Sequence, residues 1–256
     1  MKELLRIETL SKEFGGVTAL YEVDFHVDPK EIVALIGPNG AGKTTAINII
    51  TGVYRPTSGS VFLAGRGISS LEPHRIAGLG VTRTFQNIQV FHNMTVLENV
   101  MVGLHTRTRC GFLSGCLHAF GHRREEREVE RRATEVLSLM GLRDHKDLPG
   151  NALPYGLQKR LEMARAWVSG PRILLLDEPA AGLNTRETEE TAEMIARIRN
   201  AGTAVLLVEH NMDLVMGISD RVIVLNYGRK IAEGRPEEVR GYPEVIEAYL
   251  GSDHDA

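Results

Sequence analysis

Residues 37–44 read Gly37-Pro38-Asn39-Gly40-Ala41-Gly42-Lys43-Thr44, which has the spacing G-x-x-x-x-G-K-[ST] of a phosphate-binding loop. A run at residues 31–36, apolar after Glu31, precedes it with the pattern of a buried strand, and residues 44–50 continue as a helical pattern. Glycines let backbone N–H groups converge on phosphate oxygens, and the N-terminal dipole of the next helix favours an anion. Strand, loop and helix in this order predict a nucleoside triphosphate site rather than a glycine-rich turn that matches by chance.

The composition is that of an ordinary globular chain. Its 256 residues, 43% of them hydrophobic, suffice for one large α/β domain or for a domain with an inserted subdomain. A formal net charge of -3 argues against a dedicated nucleic-acid surface, so nucleic acid is not an expected partner. Residues 1–8 alternate charged and apolar side chains, and no apolar run reaches the roughly 18 residues of a membrane span. We therefore expect no signal peptide and no transmembrane segment. The two cysteines, Cys110 and Cys116, are too few for a disulfide framework, which indicates a reducing compartment.

The order of apolar runs indicates an α/β protein. Strand patterns alternate with helical ones, which predicts a parallel sheet with the early strands as an added antiparallel β layer. The expected strands are residues 5–10, 23–27, 32–36, 61–63, 173–176, 204–208, 222–225 and 230–233. From about residue 88 to residue 166 no strand pattern is found, and helical patterns dominate, at residues 95–104, 123–140 and 157–167. We therefore expect three parts: 1–87 and 167–256 as two pieces of an ATP-binding core, and 88–166 as an inserted α-helical subdomain.

Two acidic residues follow the buried strand pattern at residues 173–176. Asp177 is expected to hold Mg²⁺ through its hydration shell, with Thr44 as a direct ligand, and Glu178 to take a proton from the attacking water. An acidic residue at a strand end can also cap a helix. Beside a phosphate loop, the pair predicts catalysis.

Two further polar residues complete the expected catalytic group. His210 comes two residues after the apolar strand pattern at residues 204–208. We expect it to contact the γ-phosphate or the attacking water, although a lone histidine is often structural. Gln86 lies where the core passes into the helical insertion, and it is expected to sense Mg²⁺ or water and to move with the subdomain.

Residues 105–122 contain several histidines and both cysteines, but their spacing fits no familiar zinc pattern, so no zinc site is expected. The short apolar stretch at 111–120 is either a flap on its own subdomain or a docking surface. Residues 123–132 mix charges at helical spacing, which is typical of a solvated helix.

In order and spacing, these motifs resemble those of an ATP-binding cassette (ABC) ATPase over nearly the whole chain. Residues 153–158 stand at the position of the family's signature motif, and residues 181–184 at that of its D-loop, which ends at Asn184. The resemblance implies that signature residues contact the ATP of a partner subunit: Leu153, Pro154, Tyr155, Gly156, Leu157 and Gln158. It also implies a set of contacts to the chain's own ATP: Phe14 on the adenine, then Gly37, Pro38, Asn39, Gly40, Ala41, Gly42, Lys43, Thr44 and Thr45.

Within the family, residues 84–87, the long insertion, residues 209–216 and the tail at 247–251 look like those of the LivG-type ATPases of branched-chain amino acid importers. That resemblance implies a peripheral subunit on the cytoplasmic side of the inner membrane, with ATP and Mg²⁺ as cofactors. Its implied partners are a second ABC ATPase, two transmembrane permeases and, indirectly, an extracytoplasmic solute-binding protein.

The signature departs from the family's usual Leu-Ser-Gly-Gly-Gln. Pro154 replaces the serine, Tyr155 the first glycine and Leu157 the glutamine, and Asn184 replaces the usual D-loop aspartate. The serine hydroxyl that would bond the opposing γ-phosphate is therefore missing. We expect an asymmetric heterodimer with unequal ATP sites, with a homodimer as the alternative.

Three other functions stay open at this point. A lipopolysaccharide-type export ATPase shares most of the motifs. A non-transport ABC ATPase acting on DNA or ribosomes usually has tandem cassettes, long coiled coils or basic arms, which this chain lacks. A small-molecule kinase built on a phosphate loop leaves Gln86, residues 153–158 and His210 unexplained.

Overall fold

The computed structural model describes residues 3–84, 88–104 and 119–250, with side chains from 126 to 249 in the last range. The chain divides into two compact units. The first joins Met1–Arg83 with Arg172–Ala256, and the second is Thr84–Pro171. The predicted strands all lie in the first unit.

Ten strands are found in the described part of the first unit, arranged as two sheets. They are β1 (Leu5–Phe14), β2 (Val17–Val27), β3 (Ile32–Ile36), β4 (Ser58–Leu63), β5 (Arg66–Gly67), β6 (Val81–Arg83), β7 (Ile173–Asp177), β8 (Ala204–Val208), β9 (Arg221–Asn226) and β10 (Arg229–Gly234). The four-stranded sheet has the order β2-β1-β4-β5 and is antiparallel. It is the expected antiparallel β layer.

The six-stranded sheet has the order β10-β9-β3-β8-β7-β6. All its neighbours pair in parallel except β10 with β9. Every residue of β3, β7 and β8 is buried, which explains why these strands are continuous apolar runs in the sequence. The carboxyl ends of these neighbouring strands meet at one edge of the sheet, so the residues that follow them come together there.

Helices cover the first unit's parallel sheet and make up the regular structure of the second unit. In the first unit the described helices are α1 (Lys43–Ile50), α2 (Pro73–Gly78), α6 (Thr185–Asn200), α7 (Met212–Ile218), α8 (Pro236–Val239) and α9 (Pro243–Leu250). In the second unit they are α3 (Val96–Val102), α4 (Ala119–Leu139) and α5 (Tyr155–Trp167). Among the described residues, no helix has the length and apolar character to cross a membrane.

The second unit is held by buried polar contacts as well as by an apolar core. The buried side chain of Asn99 accepts a hydrogen bond from the N–H of Phe91 at 2.8 Å and donates to the carbonyl oxygens of Phe91, Met94 and Thr95. Arg132 on α4 donates to the carbonyl oxygen of Val168 just after α5. These bonds fix the loop before α3 and tie α4 to the end of α5.

Candidate functional site

The phosphate loop connects β3 to α1. The side chain of Lys43, the first residue of α1, turns back over the loop, and its Nζ donates to the carbonyl oxygens of Gly37 at 2.6 Å and Pro38 at 2.9 Å. Burial lowers the pKa of Lys43, while the negative charges of Glu178 and Asp177 raise it by less. The loop, its lysine and the two acidic residues therefore belong to one electrostatic site.

Two of the loop glycines, Gly37 and Gly42, are required by packing as well as by phosphate access. Gly37 has a φ of 149°, and a Cβ there would lie 2.1 Å from the carbonyl oxygen of Leu225 in β9. At Gly42, with a φ of 102°, a Cβ would lie 2.6 Å from the carbonyl oxygen of Ala19 in β2. A side chain at Gly37 would displace the loop from β9, and a side chain at Gly42 would displace it from β2.

Asp177, the last residue of β7, is buried and paired with a residue that the sequence did not single out. Nη2 of Arg83 donates to Oδ2 of Asp177 at 2.8 Å, and Nη1 of the same residue donates to Oδ1 of Asn48 in α1 at 2.6 Å. Arg83 is the last residue of β6, which pairs with β7. Its guanidinium thus connects the aspartate to the helix that starts at the phosphate loop.

Glu178 has a left-handed backbone with a φ of 50°, which costs about 1–3 kcal/mol for a residue with a side chain. Its N–H donates to the carbonyl oxygen of Val208 at 2.8 Å, so the chain turns sharply while it stays attached to β8. Oε1 of Glu178 lies 3.8 Å from Nδ1 of His210. The two predicted catalytic residues are therefore neighbours at the ends of adjacent strands.

Glu209 is a buried acidic residue between β8 and His210 that the sequence analysis missed. Its Oε1 accepts from the N–H of Ala180 at 2.8 Å, and its Oε2 from the N–H groups of His210 at 2.9 Å and Asn211 at 3.1 Å. A signal was present: Glu209 directly follows the apolar run at residues 204–208, as Asp177 directly follows the apolar run at residues 173–176. Only the three-dimensional contacts show which loops it joins.

Phe14 ends β1 with 41% of its surface exposed. Its ring packs edge-to-face against Tyr54, with centroids 5.2 Å apart, and Nζ of Lys12 lies 4.8 Å from its centroid. An exposed aromatic face held by a second ring is a surface on which a base can stack. Tyr54 is a further residue that the sequence analysis did not name.

In the second unit, Pro154 is the N-cap of α5 and Tyr155 its first residue, and both are exposed. Leu153 and Gly156 are buried, and Nε2 of Gln158 donates to the carbonyl oxygen of Leu153 at 2.8 Å. Proline has no side-chain oxygen with which to cap the helix, so the first N–H groups of α5 are not capped by residue 154.

Asn184 has a local structural role in the first unit. It is the N-cap of α6 and forms a capping box with Glu187, in which the side chain of each accepts the other's N–H at 3.0 Å. The predicted contact residue Gln86 lies outside the described residues, and so do residues 105–118 and the side chains of 119–122.

The described residues contain no group of three or more His, Cys, Asp or Glu that would form an all-protein metal site. Proteins usually bind Mg²⁺ through one or two side chains, while substrate phosphates and water fill the remaining positions. Thr44 and Asp177 are suitable side chains of this kind.

Comparison with known proteins relates the chain to transport ATPases. Residues 20–181 match the family model for the ABC transporter, and residues 229–255 match the model for the branched-chain amino acid ATP-binding cassette transporter. The chain is 48% identical over 249 residues to the high-affinity branched-chain amino acid transport ATP-binding protein LivG of Escherichia coli K12, covering 97% of this chain and 98% of the relative. It is 45% identical to BraF of Pseudomonas aeruginosa, which carries the same description, over 98% of each chain.

Solved structures agree with these matches. The ADP conformation of an ATP-binding cassette of an ABC transporter is similar with a TM-score of 0.86 and 32% identity, over 98% of this chain and 100% of that one. A nucleotide-free ATP-binding cassette of an ABC transporter has a TM-score of 0.84 and 32% identity, over 96% and 98%. The similarity in sequence and in structure thus extends over nearly the whole length.

Proposed function

The chain belongs to the ABC transporter family as an ATP-binding, ATP-hydrolysing subunit, and we propose that its hydrolysis energises uptake of branched-chain amino acids across the cytoplasmic membrane. The observation that carries this proposal is the full-length similarity to transport proteins described for that solute class, joined by the match at residues 229–255. None of those names describes an exporter, so the lipopolysaccharide-type alternative is not favoured.

ATP would bind along the phosphate loop of the first unit. Apart from Pro38, which has no N–H, the backbone N–H groups of residues 37–45 would face the phosphates. The ammonium of Lys43 would exchange two neutral carbonyl partners for charged phosphate oxygens. Hydrogen bonds between charged groups are roughly twice as strong as neutral ones, which favours that exchange. Phe14, steadied by Tyr54, supplies the stacking surface for adenine.

Hydrolysis would use the residues at the ends of β7 and β8. Glu178 accepts a proton from the attacking water, and His210, 3.8 Å away, contacts the γ-phosphate or that water. Thr44, Asp177 and Gln86 would hold Mg²⁺, which when bound neutralises charge on the β- and γ-phosphates. Lys43 adds a fixed positive charge beside the same oxygens.

We assign the signature residues of the second unit to the ATP of a partner ATPase. The N-terminus of α5 presents N–H groups, which favour an anion even with Pro154 at the cap. The missing serine hydroxyl would make the site that this chain completes for its partner the slower one. The expected assembly is a heterodimer under two permeases, on the cytoplasmic side of the membrane, served by a solute-binding protein.

The assembly can be tested by purifying the chain from its native membrane in mild detergent and identifying every subunit by mass spectrometry. We expect a second ATPase with a regular signature and two permeases. Recovery with exporter-type permeases, or with ribosomes or DNA, would contradict the importer. A complex in which this chain is the only ATPase would contradict the proposed heterodimer but not the proposed importer.

A further inference from the structure

Glu209 is a buried carboxylate to which the proposed mechanism assigns no role. A buried carboxylate is expensive unless it receives hydrogen bonds, and here three backbone N–H groups point at it. All three donors belong to loops that follow the strands of the candidate site. The contacts therefore relate Glu209 to the site and not to the packing of a distant core.

Its two oxygens serve different loops. Oε1 accepts from Ala180, two residues after Glu178, whereas Oε2 accepts from His210 and Asn211, at the turn into α7. Oε2 also lies 3.8 Å from Nδ1 of His210, the same distance as Oε1 of Glu178 from that atom. A single side chain thus joins the loop of the proposed base to the turn that carries the histidine.

We propose that Glu209 is a positioning residue that sets the geometry of Glu178 and His210 for hydrolysis. Its carboxylate accepts hydrogen bonds from backbone N–H groups of both loops, so it acts through the backbone that carries the two residues. The inference rests on the proposed roles of Glu178 and His210. A misplacement of about 1 Å at a catalytic group can reduce turnover on the order of a hundredfold. Loss of the hydrogen bonds to Glu209 should therefore have a measurable effect on the rate of ATP hydrolysis.

The positioning role requires a carboxylate at residue 209, because acceptors are needed toward both loops. Both oxygens of a carboxylate accept hydrogen bonds, whereas glutamine has one oxygen and an amide nitrogen that only donates. Glu209→Gln keeps the shape of the side chain, but its amide nitrogen, a donor, would face the N–H donors of one of the two loops, so the hydrogen bonds to that loop would be lost. Glu209→Asp keeps two accepting oxygens on a shorter stem, so it should restore part of the geometry.

The test compares the steady-state ATPase of the full chain, alone and with its co-purified partner subunits, for wild type and the variants. We expect Glu209→Gln to lower kcat roughly 10- to 100-fold, with the KM for ATP and the affinity for a fluorescent ATP analogue within about twofold. Glu209→Asp should give an intermediate kcat. If Glu209→Gln fails to fold, the Asp variant carries the test, and a wild-type kcat there overturns the inference.

The matched control is Glu31→Gln at the opposite end of β3. Glu31 is a carboxylate whose side chain is 16% exposed, and it likewise accepts a backbone N–H, that of Asp28 at 2.7 Å. It also accepts hydrogen bonds from Arg221. This variant should lower stability but keep kcat within about twofold, because it lies away from the strand ends that carry the site.

The outcomes separate the inference from the proposed function. Wild-type kcat in Glu209→Gln, with Glu178→Gln inactive, would overturn only the positioning role. Loss of nucleotide binding together with kcat in Glu209→Gln would show a purely structural residue and would also overturn it. A wild type without ATPase activity, or an active Glu178→Gln, would overturn the proposed catalytic roles and the inference with them.

Discussion

Removing one partner of the buried ion pair between Arg83 and Asp177 should strongly destabilise the first unit. The exposed fraction of the side chain is 12% for Arg83 and 4% for Asp177, and Nη2 of Arg83 lies 2.8 Å from Oδ2 of Asp177. Replacement of Arg83 by Met keeps much of the side-chain volume but leaves the aspartate without this partner. The same change removes the bond to Asn48 of α1.

The size of the effect follows from the geometry. At 2.8 Å and an effective dielectric constant of about 20, two unit charges attract each other by about 6 kcal/mol before desolvation is counted. Breaking a buried pair from one side typically costs about 3–5 kcal/mol. Because Asp177 keeps other contacts, we expect about 3 kcal/mol for Arg83→Met.

Urea unfolding followed by circular dichroism measures this cost, and a double-mutant cycle with Asp177→Asn isolates the pair. We expect a coupling energy of about 2 kcal/mol, and a value below about 0.5 kcal/mol would refute the reasoning. The matched control is Arg55→Met, which breaks an ion pair with Glu72 whose side chains are 74% and 61% exposed. That change should cost at most about 0.5 kcal/mol.

Three other features can be tested by substitution. Gly37→Ala should lower the free energy of unfolding by about 3 kcal/mol, because its Cβ would meet a backbone oxygen. Gly40→Ala, where a Cβ would meet no described atom within 4 Å, should cost only about 1 kcal/mol; equal losses in urea titrations would contradict the packing argument. Burial raises the pKa of Tyr249 to about 12, against a smaller lowering by the backbone of Gly37. Since the unfolded tyrosine ionises near pH 10, the folded state holds its proton longer, and the stability associated with Tyr249 should fall as pH rises from about 10 to about 12. Tyr249→Phe should remove that part of the pH dependence, and an unchanged slope would show that the burial has no such effect. Pro154→Ser should speed hydrolysis at the slower site of the heterodimer, measured as single-turnover rates; two wild-type sites of equal rate would contradict the asymmetry.

Local signals predicted the central part of the first unit. The apolar runs of β3, β7 and β8, and the glycines before α1, depend on short-range rules of burial and loop geometry, so the sequence predicts them directly. The same rules located Asp177, Glu178 and His210 at strand ends. The α/β class and the antiparallel layer are confirmed for the same reason.

Contacts between distant segments could not be predicted in this way. Strand β6, only three residues long, was not expected, and with it the sequence analysis missed Arg83 as the partner of Asp177. Strand β2 begins at Val17, six residues before the predicted start, because its first half pairs with the end of β1 and is not an apolar run. The place of Gly37 against Leu225 likewise depends on the sheet order, which puts β9 beside β3.

ATP-dependent uptake of labelled leucine is the measurement that matters most. Proteoliposomes would contain the purified transport complex and its solute-binding protein, with either wild type or Glu178→Gln as this subunit. We expect wild type to accumulate leucine only with ATP, and Glu178→Gln to bind ATP while uptake falls on the order of a hundredfold, the usual scale for loss of a general base. Leucine uptake unchanged by Glu178→Gln, or an ATPase-active complex that takes up no branched-chain amino acid, would contradict the proposed function.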